Sequence, residues 1–165
     1  GEWPGLFFFF FAGSALIPVC SPSFARNLGS PPAVSALGEA TLLRSMVRPS
    51  DWREWLDAAG ARKIDSERGI EFESSSLAYQ SAMEGIGVAI GQMVLVVDDL
   101  VAGRLVAPFD FIHDNGYAYY LTYAEQALEK PGVAEFRDWI LGQAAEYEAT
   151  LRTMRLPGVK GRVPA

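Results

Sequence analysis

Apolar positions recur at helical spacing in Asp51–Ala59, where Trp52, Trp55, Leu56 and Ala59 fall at i, i+3, i+4 and i+7. Ser50 stands where an N-cap belongs, Asp51 suits the positive end of a helix dipole, and Gly60 follows as a stop. Two tryptophans sharing one helical face predict core packing rather than a ligand cage. Downstream, Ile70–Glu73 reads as a strand, Ser75–Glu84 as a helix and Gly87–Gly91 as a second strand. Ala78, Ser81, Ala82 and Gly85 are small enough to let that helix lie close on a sheet. Val88-Ala89-Ile90 is apolar on both faces, the pattern of a covered parallel strand. Strand, helix and strand at this spacing form a βαβ unit, which predicts parallel pairing of Ile70–Glu73 with Gly87–Gly91.

The flanks are less regular. After a turn at Trp3-Pro4-Gly5, Phe7–Phe11 and Ser14–Val19 read as a buried pair of strands, because the apolar run Leu6–Cys20 is too short for a membrane span of about 20 residues. Proline and glycine make residues 21–40 mostly loop, with a short helix near Phe24–Leu28, and Thr41-Leu42-Leu43 is a short strand. A helix over Val94–Val101 stops at Gly103, and Leu105–Ala107 and Tyr117–Tyr123 are strand candidates. Pro131-Gly132 opens a helix over Val133–Glu146, and the chain from Leu156 onward has no periodicity. Alternating strands and helices of this kind place the chain in the α/β class.

Charge and composition narrow the function. Across 165 residues the formal net charge is −6, and the basic residues are spread singly, with Arg62-Lys63 the one adjacent pair. Nucleic-acid binders show the opposite sign, gathered on one face. Cys20 and His113 stand alone in their types, which excludes an internal disulfide and a zinc site built from Cys and His. No metal or cofactor is expected, and a lone cysteine fits a reducing, cytoplasmic setting. The Leu6–Cys20 run favours one alternative, an exported periplasmic solute-binding protein, although Gly1–Gly5 carries no positive charge and Glu2 is acidic.

Candidate chemistry is sparse. A hydrolase would need His113, which lies in the turn-like stretch Asp110–Gly116 with no G-x-S-x-G motif anywhere, so no enzyme is expected. Asp98-Asp99 reads as a solvated helix face, and Gly85-Ile86-Gly87 comes after a helix and before a strand, the wrong order for a dinucleotide loop. Glu73-Ser74-Ser75-Ser76 has a physical mechanism. It joins the C-terminal end of a strand to the N-terminus of a helix, where free N–H groups and the dipole welcome an anion, although a serine there also serves simply as a cap.

The stretch Phe72–Phe109, FESSSLAYQSAMEGIGVAIGQMVLVVDDLVAGRLVAPF, resembles the effector-binding domain of LysR-type transcriptional regulators, closest to the glycine-cleavage-activator and β-lactamase-regulator branch. Trp3-Pro4-Gly5-Leu6, Pro18–Pro22, Thr41-Leu42-Leu43, Trp52 with Trp55-Leu56, and Phe136–Ile140 fall in the family's order, so the resemblance covers roughly residues 3–147. It implies a periplasmic-binding-protein-like fold of two α/β lobes with the ligand in the cleft between them. The second lobe would be complete and the first only partial. Residues 3–16 would be a remnant of the first lobe, 17–118 the second lobe, 119–147 the return strand and helix, and 148–165 a flexible tail. Leu16–Cys20 resembles the first crossover and Tyr119–Tyr123 the return. A winged helix-turn-helix, a linker helix and most first-lobe strands would precede Gly1, and the Phe7–Phe11 run departs from the family's mixed, partly charged pattern.

Carried over by position, Ser75 resembles a ligand-contacting polar residue of the β-lactamase-regulator branch, with Glu73, Ser74 and Ser76 beside it. Tyr119 resembles a cleft tyrosine on the return strand, with Thr122 on the same segment. The implied partners are a small, anionic effector, DNA through the preceding domain alone, and further copies of the intact protein, with no membrane. For this acidic chain alone, a gel-shift assay near physiological salt is expected to show no sequence-selective complex.

Overall fold

The structure, a computed structural model, describes residues 5–154. The expected turn at Trp3-Pro4 and the aperiodic tail from Leu156 lie outside them. Six strands, β1 (Leu6–Gly13), β2 (Leu16–Val19), β3 (Leu42–Ser45), β4 (Ile70–Phe72), β5 (Val88–Gln92) and β6 (Ala118–Ala124), form two sheets. One is a four-stranded sheet in the order β2-β5-β3-β4, and the other is a ribbon of β1 and β6. The helices are α1 (Pro22–Ala25), α2 (Asp51–Ala58), α3 (Ser75–Met83), α4 (Met93–Val101) and α5 (Val133–Thr153). None of them is long and apolar enough to cross a membrane.

The strand order corrects one expectation. β4 and β5 are both parallel to β3 and lie on either side of it, so the βαβ crossover skips a strand and the direct pair is not made. Burial explains the order: β3 is buried through Leu42 and Leu43 and takes the centre, whereas β4 is short and mostly exposed and is suited to an edge. Two glycines fix how closely the neighbours approach. A β-carbon on Gly69 would collide with the Leu42 carbonyl, and one on Gly87 with the Thr41 carbonyl. Gly69 also holds φ at +107°, which L side chains rarely adopt. On the opposite edge, β2 runs antiparallel to β5 and tolerates Pro18, which has no N–H to give a further strand.

Alternation along the strands feeds two cores, one on each face of the sheet. Ile17, Val19, Leu43 and Ala89 pack under α3 and α4, through Ala78, Ala82, Met93 and Val96. Leu16, Leu42, Val88 and Ile90 pack under α2, with Trp52, Trp55, Leu37 and Phe109. The two tryptophans are core residues as expected, at 2% and 0% exposure, and Trp52 donates its indole N–H to the Leu43 carbonyl at 3.1 Å.

The apolar N-terminal run is not a buried pair. β1 leaves β2 and pairs antiparallel with β6, where Phe7, Phe8 and Phe10 remain more than 40% exposed. The chain passes from ribbon to sheet at Ser14 and Ala15 and returns just before β6. The two passages are joined by backbone hydrogen bonds, Ser14 N–H to the Tyr117 carbonyl and Leu16 with His113 in both directions. Within the expected first crossover Leu16–Cys20, Leu16–Val19 is part of the sheet, and within the expected return Tyr119–Tyr123 the strand is part of the ribbon; His113 is a half-buried residue of the passage rather than an exposed turn. Leu105–Ala107 makes only an isolated bridge, Val106 to Cys20. The last helix runs past Glu146 to Thr153, because Ala144, Tyr147 and Leu151 continue its buried face and dock the helix end on the α3–α4 side of the core. Residues 148–153 are thus helix, not tail.

The start of α2 also differs. Ser50 is itself helical in backbone (φ −88°, ψ −14°) and gives its hydroxyl to Glu54 at 2.7 Å, so it does not cap the helix. Asp51 instead is buried and gripped by Arg48, with Nε 3.0 Å from Oδ2 and Nη2 2.9 Å from Oδ1. Burial raises the Asp51 pKa above its ordinary value of 3.8, and the Arg48 hydrogen bond and charge oppose that rise. A carboxyl whose folded pKa is raised costs stability as pH climbs through that pKa, since the folded state then gives up a proton it holds better than the unfolded chain.

Two outcomes are expected in urea denaturation. Trp55→Ala should lose about 3–5 kcal/mol, the cost of emptying a buried indole site. Arg48→Gln should lose about 3 kcal/mol at pH 7, the low end for stranding a buried charge, because a third of Arg48 is open to water. That deficit should shrink as the pH is lowered and Asp51 takes up a proton; a deficit independent of pH would contradict the ion-pair account.

Candidate functional site

Because β3, β4 and β5 are parallel, their C-terminal ends lie together, and ligands in open α/β sheets bind at such ends. Three polar features meet there. The first is the N-terminus of α3, where Ser74 has extended backbone (φ −143°, ψ 156°) and its hydroxyl accepts from the Leu77 N–H at 3.4 Å. Ser74, not Ser75, is the cap. Ser75 is thereby released, and its hydroxyl donates to Ser45 Oγ at the end of β3 at 3.2 Å. Glu73 and Ser76 are exposed beside this pair.

Gln92, at the end of β5, is the second feature. It is 4% exposed and uses both ends of its amide. Nε2 donates to Ser14 Oγ at the ribbon-to-sheet passage, Oε1 accepts from the Tyr119 hydroxyl at 3.1 Å, and the backbone N–H donates to the Tyr79 hydroxyl at 3.3 Å. A buried amide left unsatisfied would be costly, so these bonds fix β6 against the sheet. Burial raises the pKa of the Tyr79 phenol, opposed by hydrogen bonds from the Gln92 backbone and Ser75. The third feature is Arg48, three residues beyond Ser45 and within electrostatic range of the Tyr119 phenol.

Of the six residues expected at the site, Ser74, Ser75 and Tyr119 join this network, and Glu73 and Ser76 line its exposed rim. Thr122 does not. It faces solvent opposite Phe8, and three residues along a strand from Tyr119 it projects to the other face. Ser45, Arg48, Tyr79, Gln92 and Ser14 were not singled out from the sequence. Gln92 is the sole polar side chain within Val88–Val97, and Ser14 the sole one within Leu6–Val19; a polar residue inside an apolar run is the signal that points to them.

The concavities fit this placement only in part. One of about 480 Å³ lies between Pro22, Gly29, Pro31 and Val106–Pro108, at the end of the sheet remote from Gln92, and is mainly apolar. A smaller one, about 180 Å³, opens beside Tyr119, between Phe11, Leu121 and Ile140. Among the described residues no group of three His, Cys, Asp or Glu side chains is placed to hold a metal ion. His113 makes backbone bonds to Leu16, and its ring has no hydrogen-bonded nucleophile among the described residues.

Known proteins share this architecture. Residues 1–145 match the LysR substrate binding domain. The glycine cleavage system transcriptional activator of Escherichia coli K12 is 33% identical over 152 residues, 92% of this chain and 50% of that protein. The chain thus spans about half the length of the curated relatives it matches. Among solved structures, the effector domain of the transcriptional regulator AmpR of Pseudomonas aeruginosa superposes with a TM-score of 0.70 at 28% identity, covering 92% of this chain and 72% of that one. The effector binding domain of Citrobacter freundii, in a form with Thr changed to Val, Ser to Ala and Tyr to Phe, superposes with a TM-score of 0.67 at 25% identity, covering 87% and 71%. The fold is the two-lobe, periplasmic-binding-protein-like α/β fold of these domains. The chain belongs to the LysR substrate-binding domain family.

Proposed function

We propose that this domain senses a small anionic effector where the four-stranded sheet meets the β1–β6 ribbon, and that in the intact, oligomeric regulator the effector controls DNA binding by a separate helix-turn-helix domain. Residues 17–118 act as one lobe, and the ribbon with the first part of α5 contributes to the other. Tyr119 carries the proposal: from the ribbon it reaches Gln92 of the sheet unit, beside the helix end that holds Ser74 and Ser75. A ligand contacting both sides gains or loses affinity as they move, the differential binding needed to shift a regulator between states. Uncapped N–H groups at the start of α3 suit an anion, and Tyr119, Ser75 and Ser45 supply hydroxyls.

The solved Citrobacter freundii variant, in which the Thr and Tyr changes each delete a hydroxyl and the Ser change deletes a third, fits a pocket of that chemistry. Relatives that are transcriptional regulators favour a cytoplasmic, non-catalytic role over the exported solute-binding alternative.

The separation of cap and ligand contact makes the test clean. Ser74→Ala should cost about 0.5–2 kcal/mol in urea denaturation through loss of the cap. Ser75→Asp should leave stability near wild type, since an acidic first turn suits the dipole, yet abolish the effector response in a promoter–reporter assay. A Ser75→Asp regulator responding at the wild-type effector concentration would place the site elsewhere.

A further inference from the structure

The arginines of this domain use their charge in different ways. Arg44 pairs with Glu67 and Glu71, Arg62 with Asp57, Arg104 with Asp99 and Arg152 with Glu148, carboxylates whose side chains are 18% to 62% exposed. Arg68 gives Nη2 to the carbonyls of Leu37 and Ala40. Arg48 differs in both partner and place. Its Nε and Nη2 edge is taken by Asp51, whose side chain is 3% exposed, while its own side chain is 34% exposed. Nη1 has no hydrogen-bond partner among the described residues. Its backbone N–H is bonded to the Ser45 carbonyl at 3.0 Å, and the Ser45 hydroxyl is bonded to Ser75. A guanidinium is thus held by a buried carboxylate at the C-terminal end of β3, with one pair of N–H donors unused, next to the helix end and tyrosine of the proposed cleft.

We propose that Arg48 is the charge-reading residue of this site, its Nη1 edge binding a carboxylate or phosphate group of the effector while Asp51 holds the fork in place. This rests on the cleft assignment above and adds the ligand's chemical class and the residue that reads it. Arg-to-oxyanion hydrogen bonds are among the stronger ones, and a fork fixed before binding loses little rotamer freedom when it binds. Asp51 occupies the Nε and Nη2 edge of the guanidinium, so the Nη1 edge is the one open to a ligand. The geometry also assigns Asp51 a positioning role, distinct from ligand contact.

The test is NMR titration with three probes, acetate, inorganic phosphate and neutral acetamide, following the Arg48 Nε–H resonance (identified by its absence in Arg48→Lys) and the amides of Ser75 and Tyr119. Because Arg48→Gln alone strands Asp51, the comparison variant is the doubly neutral Arg48→Gln/Asp51→Asn, with folding checked by amide dispersion. One anion should shift Arg48, Ser75 and Tyr119 with a single saturating curve, acetamide should not, and the double variant should bind that anion about ten- to a hundredfold more weakly, as for loss of a charged hydrogen bond. Anion binding at Ser75 and Tyr119 with undiminished affinity in the double variant would overturn the Arg48 assignment and leave the cleft standing. Silence at all three positions, or equal shifts at surface Arg53 and Arg62, would overturn both.

Discussion

How closely two chains can approach the start of β3 sets the rest of the domain. Gly69 and Gly87 press on the Leu42 and Thr41 carbonyls from opposite sides, where no other residue has room. With both neighbours pinned there, β3, β4 and β5 run on in register and end together. The polar end of the sheet is therefore placed from its apolar end. Ser45, the serines of α3 and Gln92 meet because strands of three to five residues leave little length over which to diverge.

Much of this was legible in the sequence wherever one element decides its own fate. The tryptophan face of α2, the small face of α3 and the apolar Val88–Ile90 stretch of β5 carry their burial in their spacing, and family motifs pointed to the serines and Tyr119. Strand order was less legible. Ile70–Phe72 and Val88–Gln92 look like adjacent halves of one crossover, and nothing local says that Leu42–Ser45 slides between them. The extent of α5 was hidden for a related reason: Glu146, Glu148 and Arg152 look like a solvated end, while the residues that anchor it, Tyr147 and Leu151, matter only once the core they touch exists.

The site divides in the same way. Ser74 and Ser75 are interchangeable on paper, and backbone geometry alone makes the first a cap and frees the second. Thr122 is close to Tyr119 in sequence but projects from the other face of β6. Gln92 and Ser14 were not singled out although each is a polar residue stranded in an apolar run, because their importance depends on each other and on Tyr119, from three separate parts of the chain.

The paired passages between ribbon and sheet have a mechanical consequence. Two separate tethers would let the parts slide, bend and rotate independently. Here Ser14 is bonded to Tyr117 and Leu16 to His113 twice over, so the tethers form one narrow strap. A strap of two hydrogen-bonded strands is stiff against sliding along its length and in-plane bending, and is softest in twist, the distortion that two-stranded ribbons accept most readily. Any rotation of one part against the other would turn about this strap, and Gln92 sits beside it, bonded to Ser14 within the strap and to Tyr119 of the ribbon.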